Sequence, residues 1–380
     1  MLLYIHFPFC RAKCAYCSFY SQPWQQGPAQ EYLQLLLQEI RLQGRQQPGL
    51  EIKTLYLGGG TPSLLKPQEL ESILNALHKE FTLAWDLEFS LEANPDSCQD
   101  LEKLKAWNTL GVNRLSLGIQ SLDDDFLALL GRVHTRDQAL RAAKLIRRAG
   151  FASLNLDLLW GLPEQSTSHW LSELRQALEL APQHMSCYCL SLEPGNTLQE
   201  KMNCQGLQLP AEAEQEEMFL QGAEFLQEQG LQQYEISNFA LPGWECRHNQ
   251  GYWQGRDYLG LGPGAVSTLG FVRSKNPESL QGYAQILRQG SLQPEILHLS
   301  KMDKAQELLM LGLRGSNGLD LQEFRQAIGL DLSERNRGLL QALQQEGLIS
   351  WQGTRLSLTR RGMLLCDEVL GELTIGELGD

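Results

Sequence analysis

The fold class predicted by the sequence is α/β: a partial (β/α)6 barrel followed by a small carboxyl-terminal winged-helix-like domain. Two observations predict the barrel. Short apolar runs alternate with helix-like stretches through the first 240 residues, and the chemically distinctive residues fall at or just after those runs. A third observation predicts the small domain: from about Lys301 the pattern turns helical and then gives two short strand-like runs. Strands alternating with helices imply parallel pairing through right-handed crossovers, and in such folds the loops after the strands converge at one edge of the sheet.

The apolar runs are LLYIHFP (2–8), TLYLGGG (54–60), LEFSLEANP (87–95), NRLSLGIQS (113–121), SLNLDLLWG (153–161) and HMSCYCLSLEPG (184–195), separated by breaks containing Gly, Pro or Asn. Between them, EYLQLLLQEIRLQ (31–43), ALRAAKLIRRAG (139–150) and HWLSELRQALEL (169–180) repeat apolar residues at intervals of three and four, the helical period. Six units are too few for a closed eight-stranded barrel and suit an open one. Residues 1–240 are therefore the expected core and 241–300 a connecting segment. Residues 301–380 form the small domain: KAQELLMLGLR, LDLQEFRQAIG, LSERNRGLLQALQQEG, the strands LISWQ and RLSLT, and a last helix, RRGMLLCDEVLGEL.

Composition narrows the setting. A chain of 380 residues with 42% hydrophobic content can bury one large core and a smaller one. Its net charge of -13 repels a phosphate backbone, and the basic clusters RNRG and TRR are thin, so nucleic acid is not an expected partner. The opening MLLYIHFPFC has no basic leader, and no apolar run approaches the roughly 18 residues of a membrane span. Nine cysteines, an odd count, read as thiols and ligands rather than a disulfide framework. A cytoplasmic protein is expected.

Three of those cysteines, Cys10, Cys14 and Cys17, stand in HFPFCRAKCAYCSFY just after the first strand. A zinc site completed by a distant ligand is one reading, although the nearest candidate, His6, lies within the strand. The other is a four-iron cluster whose three thiolates leave one iron open to a small molecule. After the second strand, GGGTPS is either a glycine turn or a backbone surface bared to a ligand. Glu92 in LEANP and Gln120 in GIQS lie at strand ends. Arg132 follows in LLGRVHT, and Asp157 sits inside LNLDLLWGLP. A carboxylate within an apolar strand is costly unless paired or functional, so Arg132 or a ligand is its expected partner.

The C-x3-C-x2-C loop, with Tyr16 before its last Cys, resembles the radical S-adenosylmethionine (SAM) superfamily. With YIHFPFC, GGGTPS, EANP, GIQS, LDLLWGLP and YEISNFA, nearly the whole chain is similar to the group containing oxygen-independent coproporphyrinogen III oxidase and the radical-SAM haem chaperones. The resemblance implies a [4Fe-4S] cluster on Cys10, Cys14 and Cys17. It implies SAM contacts at Tyr4, Tyr16, Gly59, Gly60, Thr61, Glu92, Gln120, Arg132, Asp157, Ser191 and Val266, some of them to a second SAM molecule. The oxidase branch carries a further Cys two residues beyond the third ligand and an amino-terminal extension. Here Phe19 stands at that position and the chain opens on the strand.

RHNQGYW (247–253) fits the H-N-x-x-Y-W pattern of the chaperone branch. That branch implies haem as a cofactor with His248 as axial ligand, since imidazole commonly ligates haem iron and rings such as Tyr252 and Trp253 pack on a macrocycle. The expected partners are haem, acceptor hemoproteins and an electron or haem donor protein, with the chain a monomer or homodimer. The alternative activity is SAM-dependent oxidative decarboxylation of coproporphyrinogen III. The glycine-rich YLGLGPGAVS (258–267) suggests either close backbone approach or a tight connection between domains.

Overall fold

The computed structural model describes residues 1–192 and 197–373. The tail of the sixth predicted run, residues 193–195, and the end of the predicted small domain, residues 374–380, lie outside the described residues.

Six parallel strands form in the predicted places: β1 (Leu2–Phe7), β2 (Glu51–Gly59), β3 (Thr82–Ala93), β4 (Arg114–Gln120), β5 (Ser153–Trp160) and β6 (His184–Cys189). They pair in sequence order, each with the next, as right-handed crossover units do. Along them alternate residues divide between two faces. Leu3 and Ile5, Leu55 and Leu57, Phe89 and Leu91, Leu115 and Leu117, and Leu154 and Leu156 join one core with Leu36, Ile40, Leu70, Ile73 and Leu174 of the covering helices. Each such side chain contributes about 1.5–3 kcal/mol on burial. The other face carries His6, Thr54, Ser90, Arg114, Ser116, Asn155, His184 and Ser186, all buried. A parallel sheet packed against helices on both faces reads as continuous apolar runs, so this alternation marks a polar barrel interior.

The covering helices follow the usual local rules. In Arg136–Ala149, Thr135 caps the first turn by accepting from the Gln138 backbone N–H, Gln138 reciprocates, and Ala139, Ala142, Ala143, Ile146 and Ala149 face the core. Gly150 ends the helix at φ +88°, a conformation that suits glycine.

Residues 241–300 are more than the expected connecting segment. Strand Tyr258–Leu261 pairs in parallel with β1 on the side away from β2, and Val266–Leu269, Val272–Lys275 and Glu295–His298 extend the same sheet in antiparallel fashion. Among the described residues twelve strands share the sheet, with β1 to β6 in its middle. The glycines of YLGLGPGAVS serve close backbone approach: a Cβ on Gly260 would lie 2.1 Å from the Val266 carbonyl oxygen, and one on Gly262 would lie 2.5 Å from that of His6.

A separate carboxyl-terminal domain begins with helix Lys301–Arg314. Ser300 and Asp303 form its capping box. Helices Leu321–Ile328 and Arg337–Gln345 follow, and then strands Ile349–Gln352 and Arg355–Leu358, which pair as the expected ribbon and recruit Leu319–Asp320 as a third strand. A β-bridge between Glu235 and Gly315, and a hydrogen bond from Ser316 N to Tyr234 O at 2.9 Å, tie this domain to the barrel. Among the described residues no helix is long and apolar enough to cross a membrane.

Candidate functional site

The carboxyl edge of the six strands encloses a cavity of about 450 Å³. Cys10, Cys14 and Cys17 line it from the loop after β1, Gly59, Gly60 and Thr61 from the loop after β2, and Glu92 from the end of β3. Gln120, Arg132, Asp157 and Ser191 complete the opposite wall, and Tyr16 faces the same space. Residues spread over nearly two hundred positions thus meet at one edge of the sheet. Two predicted contacts do not border the cavity. Tyr4 stands one layer below, its hydroxyl 3.2 Å from His6 Nδ1 and its ring beside Gly58 and Tyr56. Val266 begins an antiparallel strand and packs its backbone against Gly260.

All nine cysteines are free thiols, and those of the triplet are half-buried. Burial pushes the Cys10 and Cys17 thiols above the usual range. Among the described residues no group of three His, Cys, Asp or Glu side chains is already arranged to hold a metal ion, but the three thiols line one cavity. Arg132 is the cation beside them. Its Nη1 donates to Cys14 Sγ at 3.3 Å, while Nη2 donates to Asn94 Oδ1 and the Gly118 carbonyl, each at 2.8 Å. The guanidinium thus places a positive charge and a hydrogen-bond donor against this sulfur.

The glycine loop owes its composition to crowding. Gly59 has φ +107°, and a Cβ there would lie 2.5 Å from the His6 ring; one on Gly60 would lie 2.5 Å from the Phe9 carbonyl oxygen. Backbone bonds from Gly60 N to Phe7 O and from Thr61 N to Phe9 O strap this loop to the start of the cysteine loop. Glu92 accepts from Gly59 N at 3.0 Å and from the Tyr56 hydroxyl at 2.9 Å. Burial, reinforced by the nearby Asp157 charge, pushes its carboxyl up to about 7. Gln120 sits at φ +70°, a left-handed conformation uncommon outside glycine. The chain turns there from β4 into the cavity wall.

Of the two expected partners of Asp157, Arg132 or a ligand, Arg132 does not pair with it here. Asp157 instead accepts from Ser116 Oγ at 2.9 Å and Asn155 Nδ2 at 2.7 Å, both on the polar face of neighbouring strand positions. His248, the expected axial ligand, is packed among side chains in this conformation. The imidazole is 1% exposed, with Nδ1 2.7 Å from Thr54 Oγ1 and Nε2 3.1 Å from the Tyr252 hydroxyl, and it stacks on Tyr56. Burial lowers its pKa to about 3. Both nitrogens are engaged, so the ring is a packed, neutral core residue. Cys246 is likewise buried, its thiol against Glu88.

Four residues of the site went unpredicted: Tyr56, Asn94, Ser116 and Tyr188. Asn94 joins Thr61 to Arg132, and Tyr56 holds Glu92. The signal was the strand alternation, which puts polar residues two apart on the barrel's inner face.

A family model described as the radical SAM superfamily matches residues 4–177, and one described as the HemN C-terminal domain matches residues 299–365. The heme chaperone HemW of Bacillus subtilis is 35% identical over 379 residues, which is 99% of both chains. The chain belongs to the HemW family. HemW of Escherichia coli is 42% identical over 71% of this chain and 70% of its own. The solved coproporphyrinogen III oxidase, HemN, of Escherichia coli superposes with a TM-score of 0.85 at 26% identity, covering 97% of this chain and 89% of that one. The HemW family thus shares its fold, radical SAM barrel and small domain together, with an oxidase. Membership in the radical SAM superfamily implies a [4Fe-4S] cluster and SAM as cofactors. The cavity's donor set fits them: three thiols around one space, a guanidinium beside them, and a glycine-lined wall facing a buried carboxylate.

Proposed function

We propose that this protein is a radical-SAM-type haem chaperone that binds haem and delivers it to acceptor hemoproteins in the cytoplasm. The observation that carries this reading is the match along 99% of both chains to a protein named heme chaperone HemW. Nine unpaired thiols suit a reducing compartment.

Cys10, Cys14 and Cys17 would hold the cluster, leaving one iron for SAM. When bound, the reduced cluster supplies the electron for reductive cleavage of SAM. The chain's own residues orient that ligand. Gly59, Gly60 and Thr61 offer backbone polar groups without bulk, Glu92 accepts hydrogen bonds from ribose hydroxyls, and Arg132 sets the charge beside Cys14. Gln120, Asp157 and Ser191 complete the pocket for the nucleoside or for a second SAM molecule.

The second reading, oxidative decarboxylation of coproporphyrinogen III, is favoured by the likeness to HemN. Against it stands Phe19. It lines the mouth of the cavity and is 66% exposed, at the position where the oxidase branch carries a further Cys. Anaerobically reconstituted protein, given SAM, reductant and coproporphyrinogen III, should form no protoporphyrinogen IX. Product at turnover rates would replace the chaperone reading with the oxidase one.

A further inference from the structure

A second cavity, of about 500 Å³, lies where the barrel seam meets the small domain, within the roughly 300–1,000 Å³ typical of small-molecule sites. Three features distinguish its walls. Tyr252 and Trp253 of the H-N-x-x-Y-W helix and Tyr258 supply aromatic faces, while Lys304 and Arg314 of helix Lys301–Arg314 supply cations from the other domain. Asn238 Oδ1, Trp253 Nε1 and Arg314 Nε, all from wall residues, are buried without a hydrogen-bond partner. Such atoms are rare in folded proteins and costly unless something pairs with them, and here three belong to one wall.

The charges have direction as well. Glu307 is already matched by Lys304 at 3.1 Å and by Arg273, and the partner of Arg314, Asp367, is a largely exposed side chain that solvent screens. The wall also holds Arg256 and the buried Glu235, whose carboxyl burial pushes up to about 7, so that Arg256, Lys304 and Arg314 outnumber the carboxyl groups beside the aromatic rings. A flat, apolar molecule bearing carboxylates matches both. Tyr188 also lines the cavity at the barrel mouth, so an occupant of the seam lies next to the cluster site.

We propose that this seam cavity is the haem chamber, with Tyr252 and Trp253 packing on the macrocycle and Arg314 and Lys304 of the small domain pairing its propionates. The proposal rests on the haem-binding reading above and assigns that ligand a place and an orientation. It also gives the H-N-x-x-Y-W motif a role that does not need His248 as a ligand: the imidazole fixes the Tyr252 hydroxyl at 3.1 Å and so positions the ring that faces the chamber.

The test is a spectroscopic titration of cluster-loaded protein with haem and with haem dimethyl ester, whose propionates are capped. The ester should bind the unaltered protein about ten- to hundredfold more weakly than haem, the loss expected for charge-assisted hydrogen bonds. The double variant Lys304→Met, Arg314→Met should lose the same factor for haem and little for the ester. Leu311→Trp, which fills the chamber without touching a charge, should weaken both ligands. Iron content and SAM binding should stay unchanged throughout. Equal affinities for haem and ester in the unaltered protein would overturn the proposal, as would a folded double variant that binds haem as the parent does. In either case haem still binds and the chaperone reading survives. Failure of the unaltered protein to bind haem at all would overturn both.

Discussion

Arg132 and Cys14, 118 residues apart in the chain, meet at 3.3 Å, guanidinium Nη1 to thiol sulfur. The arginine cannot easily swing away, because Asn94 and the Gly118 carbonyl hold its other nitrogen. A fixed positive charge beside one cluster ligand stabilises the more negative, reduced state. Arg132→Met should therefore shift the cluster's reduction potential negative by roughly 60 mV or more, the one-electron equivalent of a tenfold change in equilibrium. Arg132→Lys should recover part of the shift. A redox titration followed by electron paramagnetic resonance reads it, and an unchanged midpoint would remove Arg132 from the cluster's surroundings.

Replacing Cys10, Cys14 or Cys17 by Ala should prevent a stable four-iron centre and abolish reductive SAM cleavage, since each removes one of three protein ligands. Replacing Cys98, Cys187, Cys189, Cys204, Cys246 or Cys366 should not. Cys189 is the informative control: it lines the same cavity yet stands outside the triplet. Iron and sulfide content after anaerobic reconstitution decides the assignment.

Glu92→Ala should weaken SAM binding about ten- to hundredfold without loss of the cluster, the range for hydrogen bonds to a charged group. Calorimetry at fixed pH measures it, and equal affinities would count against the ribose role. The same carboxyl predicts a pH effect on the ligand-free protein. Its folded pKa, about 7, lies above the ordinary 4.5. Its contribution to stability is therefore present in full below about 4.5 and is lost as pH rises through about 7. The difference in melting temperature between Glu92→Gln and the parent should move in favour of Gln from pH 5 to pH 8. A flat difference would show that the carboxyl ionises normally.

His248→Ala should lower stability by about 2–4 kcal/mol with or without haem, because it opens a cavity and leaves Thr54 Oγ1 and the Tyr252 hydroxyl without this partner. The imidazole's folded pKa, about 3, lies below the ordinary 6.5. The parent's advantage should be complete above pH 6.5 and shrink as pH falls toward 3, where the unfolded ring gains a proton that the folded one refuses. The visible spectrum of bound haem should be unaltered. Loss of an imidazole-ligand signature from the bound haem in folded protein would restore His248 as an iron ligand.

The barrel was legible in the sequence because its signals are local: apolar runs, helical periods, and breaks of Gly, Pro and Asn. The cysteine triplet, the glycine loop, Glu92 and Arg132 were legible because strand ends converge on one edge, so position along the chain implies position in space. Pairings across the barrel were not. Arg132 or a ligand was the expected partner of Asp157, but which inward-facing side chain reaches which neighbour depends on register, and Ser116 and Asn155 are the side chains it meets. The surroundings of His248 were not legible for a related reason. A motif names residue types, whereas free ring nitrogens depend on packing, and Thr54 and Tyr252 occupy both. The strands of residues 258–298 were missed because four-residue strands in a Gly-rich stretch carry little periodicity.

The central claim is that this protein carries haem to other proteins, and a transfer assay tests it most directly. Protein loaded with one equivalent of haem and freed of excess should be mixed with an apo-hemoprotein whose holo spectrum is distinct. The account predicts that the acceptor's spectrum appears as the donor's disappears, and that bystander proteins without a haem site take up none. Haem that stays on the donor in the presence of apo-hemoproteins, or a protein that cannot be loaded, would contradict it.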